Sequence, residues 1–348
     1  LSVTLLAVAL GGAGCKCIMA NTGDMMADYT VEHLNPFMIG FGDLGMACEL
    51  AQSVGGQLLS FERITDAPNK AAVGVMASAG ICAEVEAWDA ELSSLRALKR
   101  GDAPGAKDGR LAEKRKHAVA AWRFKKAGEY LAKAYPVKAG ECPELETTED
   151  EFTWLMGNIA AVQAVQHDRV VGGAVGVPLD LPRQAARNVR CVNNERWWGV
   201  PAALEAAVWT GIPGAAPEGA DPWGQMAKAS AEGKQTGVRL ALAIRAQAAA
   251  AAGRMDEVRT IIREFKAAGA EFQPPARWLL MDRNAEAQLL ALSDRLWTEA
   301  TGHRTPEGAL GTFWDDEVEA GGDDDLLDDL GGAAPTDEAP AADGGADE

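Results

Sequence analysis

Long stretches of the chain repeat apolar residues every three or four positions, the period of a helix buried on one side. Between Arg110 and Tyr135 the repeating face is Ala120, Phe124, Ala127, Leu131 and Ala134. Between Met255 and Ala268 it is Val258, Ile261, Ile262 and Phe265. The same pattern predicts helices over Ala71–Lys99, Glu149–Arg169, Pro182–Val192, Trp223–Ala252 and Asn284–Thr301. Asn35-Pro36 suits a further helix start, proline fitting a first helical position, and the apolar segment Pro36–Phe61 carries glycines spaced to let another helix come close. Thr148 reads as an N-cap with Glu151 three residues on, a capping box. Breakers separate the elements: Asp66–Asn69, Arg100–Gly109, Pro136, Val170–Pro178, Gly211–Asp221 and Pro274-Pro275. The tight turn at Gly253-Arg254 joins two helices into a hairpin like those of tetratricopeptide repeats. The expected fold is all-α, with tetratricopeptide-like helical hairpins in one superhelical body over residues 35–314.

Composition agrees with that pattern. Of 348 residues, 47% are hydrophobic and 6% aromatic, and alanine is abundant with few β-branched runs. The net charge of −18 is mostly local. Residues 315–348 hold 14 acidic and no basic side chains, so the remainder carries only −4. That terminal segment cannot bury enough apolar surface to offset its ordering entropy and is expected to be a disordered acidic tail. Its Leu326, Leu327 and Leu330 form a candidate docking motif, with a solvated tail as the plainer reading. Nucleic-acid binding is not expected, because no basic stripe is present to meet phosphate.

The first residues have another character. Leu1 to Leu10 is an apolar run that leads through Gly11, Gly12, Ala13 and Gly14 to Cys15. It is shorter than the roughly 20 residues of a membrane-spanning helix and suits the hydrophobic part of a signal peptide. Residues 1–14 are therefore expected as a signal peptide and Cys15 as a lipidated cysteine. Residues 15–34 then form a spacer from the bilayer. No second apolar stretch approaches spanning length in this reading.

Candidate chemistry is sparse. The cysteines are Cys15, Cys17, Cys48, Cys82, Cys142 and Cys191, with no CxxC spacing. An exported protein permits disulfides, while Cys48 and Cys82 within helical patterns read as small buried hydrophobes. The four histidines, His33, His117, His167 and His303, form no metal-hydrolase spacing. A Cys191/His167 pair is conceivable as a nucleophile and base, with nothing in the spacing to favour it. Glu84, Glu86, Asp89 and Glu91 crowd one predicted helix, where a solvated face interleaved with core is the default. No catalytic residue, metal site or cofactor is expected. The candidate ligand- or partner-binding residues are Trp154, Trp197, Trp198, Trp209 and Trp223, concentrated in the central third. Each is also suited to anchor a core. Adjacent Trp197 and Trp198 cannot point the same way in a helix, which directs one outward or into a channel.

The segment from Cys15 to Asp28, with its Met-Ala-Asn stretch after the lipid cysteine, resembles the start of TRAP-transporter T-component (TatT) proteins. The similarity continues in order through Asn35-Pro36-Phe37, Ser78 to Gly80 and the stretch Arg123 to Leu131. It extends over the helix around Trp154, the hairpin Trp223–Ala268 and Asn284 to Leu290. The chain departs from the family at Ile81-Cys82, where a Tyr-Ala type pair is usual, and at Glu218–Asp221, in place of Gly-Gly-Asp. The resemblance implies a periplasmic lipoprotein, tethered more readily to the outer than the inner membrane. It implies a homotrimer and, as partner, the periplasmic substrate-binding protein of a tripartite ATP-independent transporter. It further implies a non-enzymatic transport role with a small apolar ligand. The alternative from the residues alone is a generic helical-repeat protein–protein adaptor.

Overall fold

The computed structural model describes residues 17–138 and 140–316, and every regular element among them is helical. The expected signal peptide, Cys15 and nearly all of the acidic tail lie outside the described residues. The helical body ends at Trp314, and the acidic segment from Asp315 is a separate unit.

Helix α1 covers residues 17–29 and passes through a π-helical turn, Thr30–Leu34, into α2, Asn35–Phe41. From residue 17 onward the segment expected as a spacer is thus helix, and its inward face is buried. Ala27 and Thr30 are 2% and 3% exposed, and Ala27 packs with Leu58, Ala71 and Val75. The cause is local: Met26, Ala27, Thr30 and Val31 fall on one helical face and find an apolar partner.

Gly42, left-handed at φ 75°, ends α2, and Asp43 starts α3, Leu44–Ser60, by accepting from the Met46 amide. The apolar segment Pro36–Phe61 thus holds two helices. Helix α4, Asn69–Lys99, and α5, Ala103–Ala134, form a long antiparallel hairpin. Helix α5 begins seven residues before the expected start at Arg110, because Asp102 caps it through the Gly105 amide and Pro104 fits its first turn. Gly80 lets this hairpin close, since a Cβ there would lie 2.5 Å from the Phe124 ring.

Helix α6, Thr148–Val170, carries the expected capping box one residue upstream, with Thr147 and Asp150 as its partners. Asp150 wins because its second oxygen also accepts from Lys70 Nζ and Tyr135 Oη, both at 2.7 Å. Burial pushes that carboxyl up, and the hydrogen bonds from Lys70, Tyr135 and Thr147 outweigh it, holding the pKa below the usual value. Helix α7, Leu181–Asn188, is followed by α8, Val200–Gly211.

The expected helix Trp223–Ala252 is two, α9 (Pro222–Thr236) and α10 (Leu240–Ala251). Gly237 breaks it at φ 78°, and Gln273 backbone presses so close that a Cβ would meet its oxygen at 2.2 Å. Helix α11, Met255–Glu271, pairs with α10 through the Gly253 turn, and α12, Leu279–Thr301, closes the chain of helices.

Two disulfides fix the arrangement. Cys48–Cys82 ties α3 to α4, so these two cysteines are covalent partners and not merely small hydrophobes. Cys142–Cys191 ties the connection before α6 to the turn after α7, which removes Cys191 from any pairing with His167. Cys17 is free and exposed.

Successive helices pack on their neighbours from α4 to α11, and α12 returns against α10 and α4. The row thereby closes around an interior space. Cross-links show that α4, α6 and α12 run the same way. Lys70 meets Asp150 near the start of α4, and Glu84 meets His167 further along. Arg295 meets Glu91, and Lys99 donates to the last carbonyls of α12. Among the described residues α4 is also long and apolar enough to span a bilayer, contrary to the sequence expectation, but its apolar window is 72% buried inside the body.

Candidate functional site

The interior space is a cavity of about 710 Å³ bounded by α4, α5, α6, α7, α8, α10 and α12. That volume lies within the range of small-molecule sites. Its polarity changes along the helix axes. At one end stand Ile81, Met156 and Leu240, and at the other Glu91, Arg110, Glu113, Arg169 and Arg295. From Ile81 to Glu91 the wall of α4 rises about 15 Å, at 1.5 Å per residue. The apolar end adjoins a second pocket of about 90 Å³ beneath α2, and Ile81, Met156 and Asn284 line both.

Between the two ends runs a chain of buried titratable groups. His167 Nε2 lies 3.0 Å from Glu84 Oε1, and Gln163 Nε2 donates to the other Glu84 oxygen at 3.5 Å. His167 Nδ1 faces His117 Nδ1 at 2.6 Å. His117 Nε2 faces Glu113 Oε1 at 3.7 Å, and Arg110 donates to that same oxygen. All four members are buried, Glu113 most deeply at 2% exposure, and its Oε2 has no hydrogen-bond partner among the described residues. The Phe124 ring stacks on His167 with centroids 5.5 Å apart and keeps water from that face.

The electrostatics follow from the packing. Burial, then the neighbouring His167 and Arg110, push His117 down to about 4, so it is neutral at neutral pH. Burial pushes the Glu91 carboxyl up, with Arg295 opposing and Glu113 and Glu299 reinforcing the rise. Among the described residues no three metal-ligating side chains converge.

The tryptophans singled out from the sequence sit elsewhere. Trp154 is 2% exposed and donates from Nε1 to the Asn188 carbonyl at 2.9 Å. Trp197 and Trp198 are both buried and meet Trp278 edge to face at 5.4 and 5.1 Å. Both turn inward because they lie in a turn and not in a helix, with Trp198 itself at φ 59°. Gly199 completes that turn at φ 75° where the Ala229 carbonyl allows no Cβ. Trp209 is half-buried, and Trp223 lies under the Arg254 guanidinium at 4.0 Å. None of the five lines the cavity; Trp88 does.

The groups that do line it include Glu84 and Glu91, which the sequence presented as part of a solvated face. Glu84, Trp88 and Glu91 are spaced i, i+4 and i+7 and share one face of α4, and Glu113 and His117 are spaced i, i+4 on α5. That spacing was a readable signal. Glu86 and Asp89 point away and pair with Lys116 and Arg304. No protein-family model matches the chain, and no curated protein or solved structure shows significant similarity to it.

Proposed function

We propose that the protein is a non-enzymatic, extracytoplasmic binding component that holds a small amphipathic molecule in its central cavity. We further propose that it serves a tripartite ATP-independent transporter beside the substrate-binding protein, tethered to the membrane through Cys15 and assembled as a trimer. The observation that carries the binding reading is the cavity, lined by seven helices and graded from apolar to charged. Two disulfides suit an oxidising compartment. The transporter half rests on the TatT-like order of segments from Cys15 to Leu290.

Purified protein extracted with organic solvent should release a small molecule at near-stoichiometric yield by mass spectrometry. Ala207→Trp, which fills the cavity wall, should abolish the release while leaving the circular dichroism unchanged. An empty wild-type extract, with no ligand taken up on soaking, would refute the reading. For the transporter half, crosslinking in cells should trap a TRAP-type substrate-binding protein.

A protein–protein adaptor is the second reading, favoured by one observation. Ile18, Met25, Tyr29, Phe37 and Phe41 on α1 and α2 are between 49% and 68% exposed, an apolar surface of the kind that marks interaction sites. Phe37→Ser with Phe41→Ser should abolish partner capture under this reading and leave the extracted ligand unchanged.

A further inference from the structure

Helices α1 and α2, with the π turn between them, run as one rod from residue 17 to residue 41. One side of the rod is core: Ala27, Thr30, Met38 and Ile39 are buried. The other side is apolar as well, yet bare, with Ile18, Met25, Tyr29, Phe37 and Phe41 exposed. A helix that is apolar all round is normally covered all round. Part of the bare side is a row of rings. Tyr29 meets His33 with centroids 5.6 Å apart, and Phe37 meets Phe41 at 5.8 Å. Each spacing of four residues drifts by about 40° on an α-helix, so the row from Tyr29 to Phe41 would wander by about 120°. The π turn at Thr30–Leu34 takes in about one extra residue and turns most of that back. The exposed rings are thereby held in line.

Size, charge and position choose what covers this side. The rod is about 36 Å long and one helix face about 10 Å wide, so the bare strip offers about 360 Å². A stable protein partner covers about 800 Å² on each side. The rod holds Asp24, Asp28 and Glu32 and neither Lys nor Arg, so nothing on it draws an anionic surface. The apolar run Leu1 to Leu10 and Cys15 come directly before it. Ile18 is three residues past Cys15, within about 10 Å of it even on an extended chain. On its inner side α2 roofs the small apolar pocket through Met38 and Ile39, and that pocket adjoins the apolar end of the cavity. The bare strip and the apolar end of the cavity therefore flank one helix.

We propose that the α1–α2 rod lies flat in the surface of a zwitterionic lipid bilayer, with Tyr29, Phe37 and Phe41 sunk to the level of the head groups. A tyrosine suits that zone, where the ring is buried and the hydroxyl stays wet. Contact along the whole strip turns attachment at one point into a fixed orientation, α2 against the bilayer and the apolar end of the cavity behind it. This rests on the tethering through Cys15 proposed above and names the surface of the body that the tether brings to the membrane.

Depth-dependent quenching on the full-length protein purified from membranes tests it. In a Cys17→Ser background, which removes the exposed free thiol, an environment-sensitive fluorophore is attached in turn through Ile18→Cys, Phe41→Cys and Leu98→Cys. Each protein is reconstituted on dioleoylphosphatidylcholine vesicles that carry a nitroxide lipid. Leu98 is exposed on α4, about 30 Å along the helix from Ser78, which lines the pocket under α2. The labels at positions 18 and 41 should be quenched to the same degree, and the label at position 98 should keep its emission. Phe37→Asp should release the label at position 41 and leave the one at position 18 quenched. Quenching at position 18 alone leaves the tether standing and overturns the docked strip. A label at position 41 that shifts to the blue without quenching as protein concentration rises also overturns it, since a second copy or another protein then covers the strip. Equal quenching at positions 41 and 98, or quenching at position 41 that survives Phe37→Asp, overturns it as well. A chain that does not float with the vesicles overturns tether and strip together.

Discussion

Two buried polar networks in this molecule differ in one respect, whether their hydrogen bonds are complete. At the joint of α9, α10 and α12, Arg239 and Asp282 are 7% and 2% exposed. Asp282 accepts from Arg239 Nε at 2.9 Å, from its Nη2 at 2.5 Å and from its backbone amide at 3.0 Å. The remaining guanidinium nitrogen donates to the Phe265 carbonyl at 2.9 Å, and the group lies 3.7 Å over the Phe265 ring. The charges cancel and the donors find acceptors. The cavity chain from Glu84 to Glu113 ends in a long junction of 3.7 Å and leaves the second Glu113 oxygen without a partner among the described residues. A closed network specifies where helices sit; an open one beside a cavity offers something to bind. The pair Arg239–Asp282 is accordingly structural, and the histidine chain is the place to look for function.

That contrast can be broken experimentally, beginning with the strongest effect. Asp282→Ala strands a buried guanidinium and should cost about 3–5 kcal/mol in urea unfolding. Loss below about 1 kcal/mol would show the pair to be no keystone. Reducing both disulfides, which close loops of 34 and 49 residues, should cost about 2–4 kcal/mol apiece. Denaturation with and without reductant measures it. If the Arg239–Asp282 joint acts independently of them, the two losses add.

The cavity chain should answer to pH where the closed pair does not. His117 titrates near 4 when folded and near 6.5 when unfolded. Between those values the unfolded chain binds a proton that the folded one refuses, so this contribution is complete above pH 6.5 and is lost as pH falls toward 4. The groups facing His117 are His167, Glu113 and Arg110. His117→Phe should flatten the melting temperature over that window; an unchanged slope would place the proton elsewhere. Smallest of all, Glu113→Gln keeps an acceptor for Arg110 and should shift stability by no more than about 1 kcal/mol. A loss as large as that of Asp282→Ala would mean the two networks do the same job.

Much of the fold was legible beforehand, for local reasons. The periodic face of Phe124 and Leu131 and that of Ile261 and Phe265 are buried as expected. The capping box before α6 and the Gly253 turn both appear, the first displaced by one residue. Gly237 ends α9 through a local signal, a left-handed glycine at φ 78°, and what only the tertiary structure adds is the Gln273 backbone that leaves no room for a Cβ there. The tryptophans drew attention by size, yet three of the five fill core. The site groups drew little, because a glutamate or histidine on a helix is ordinary until its partner is known.

The sequence by itself determined that this chain is helical, roughly where most of its helices lie, and that its acidity is gathered at one end. Those are properties of short windows, set by side-chain period, caps and breakers within a few residues. Only the tertiary structure decided which cysteines pair, which face of α4 turns inward, and that Glu84 on α4, His117 on α5 and His167 on α6 meet. The reason is that a cavity and a hydrogen-bonded chain are made from helix faces brought together by closure of the whole row. The pairing of His117 with His167 spans fifty residues, beyond anything a local pattern encodes.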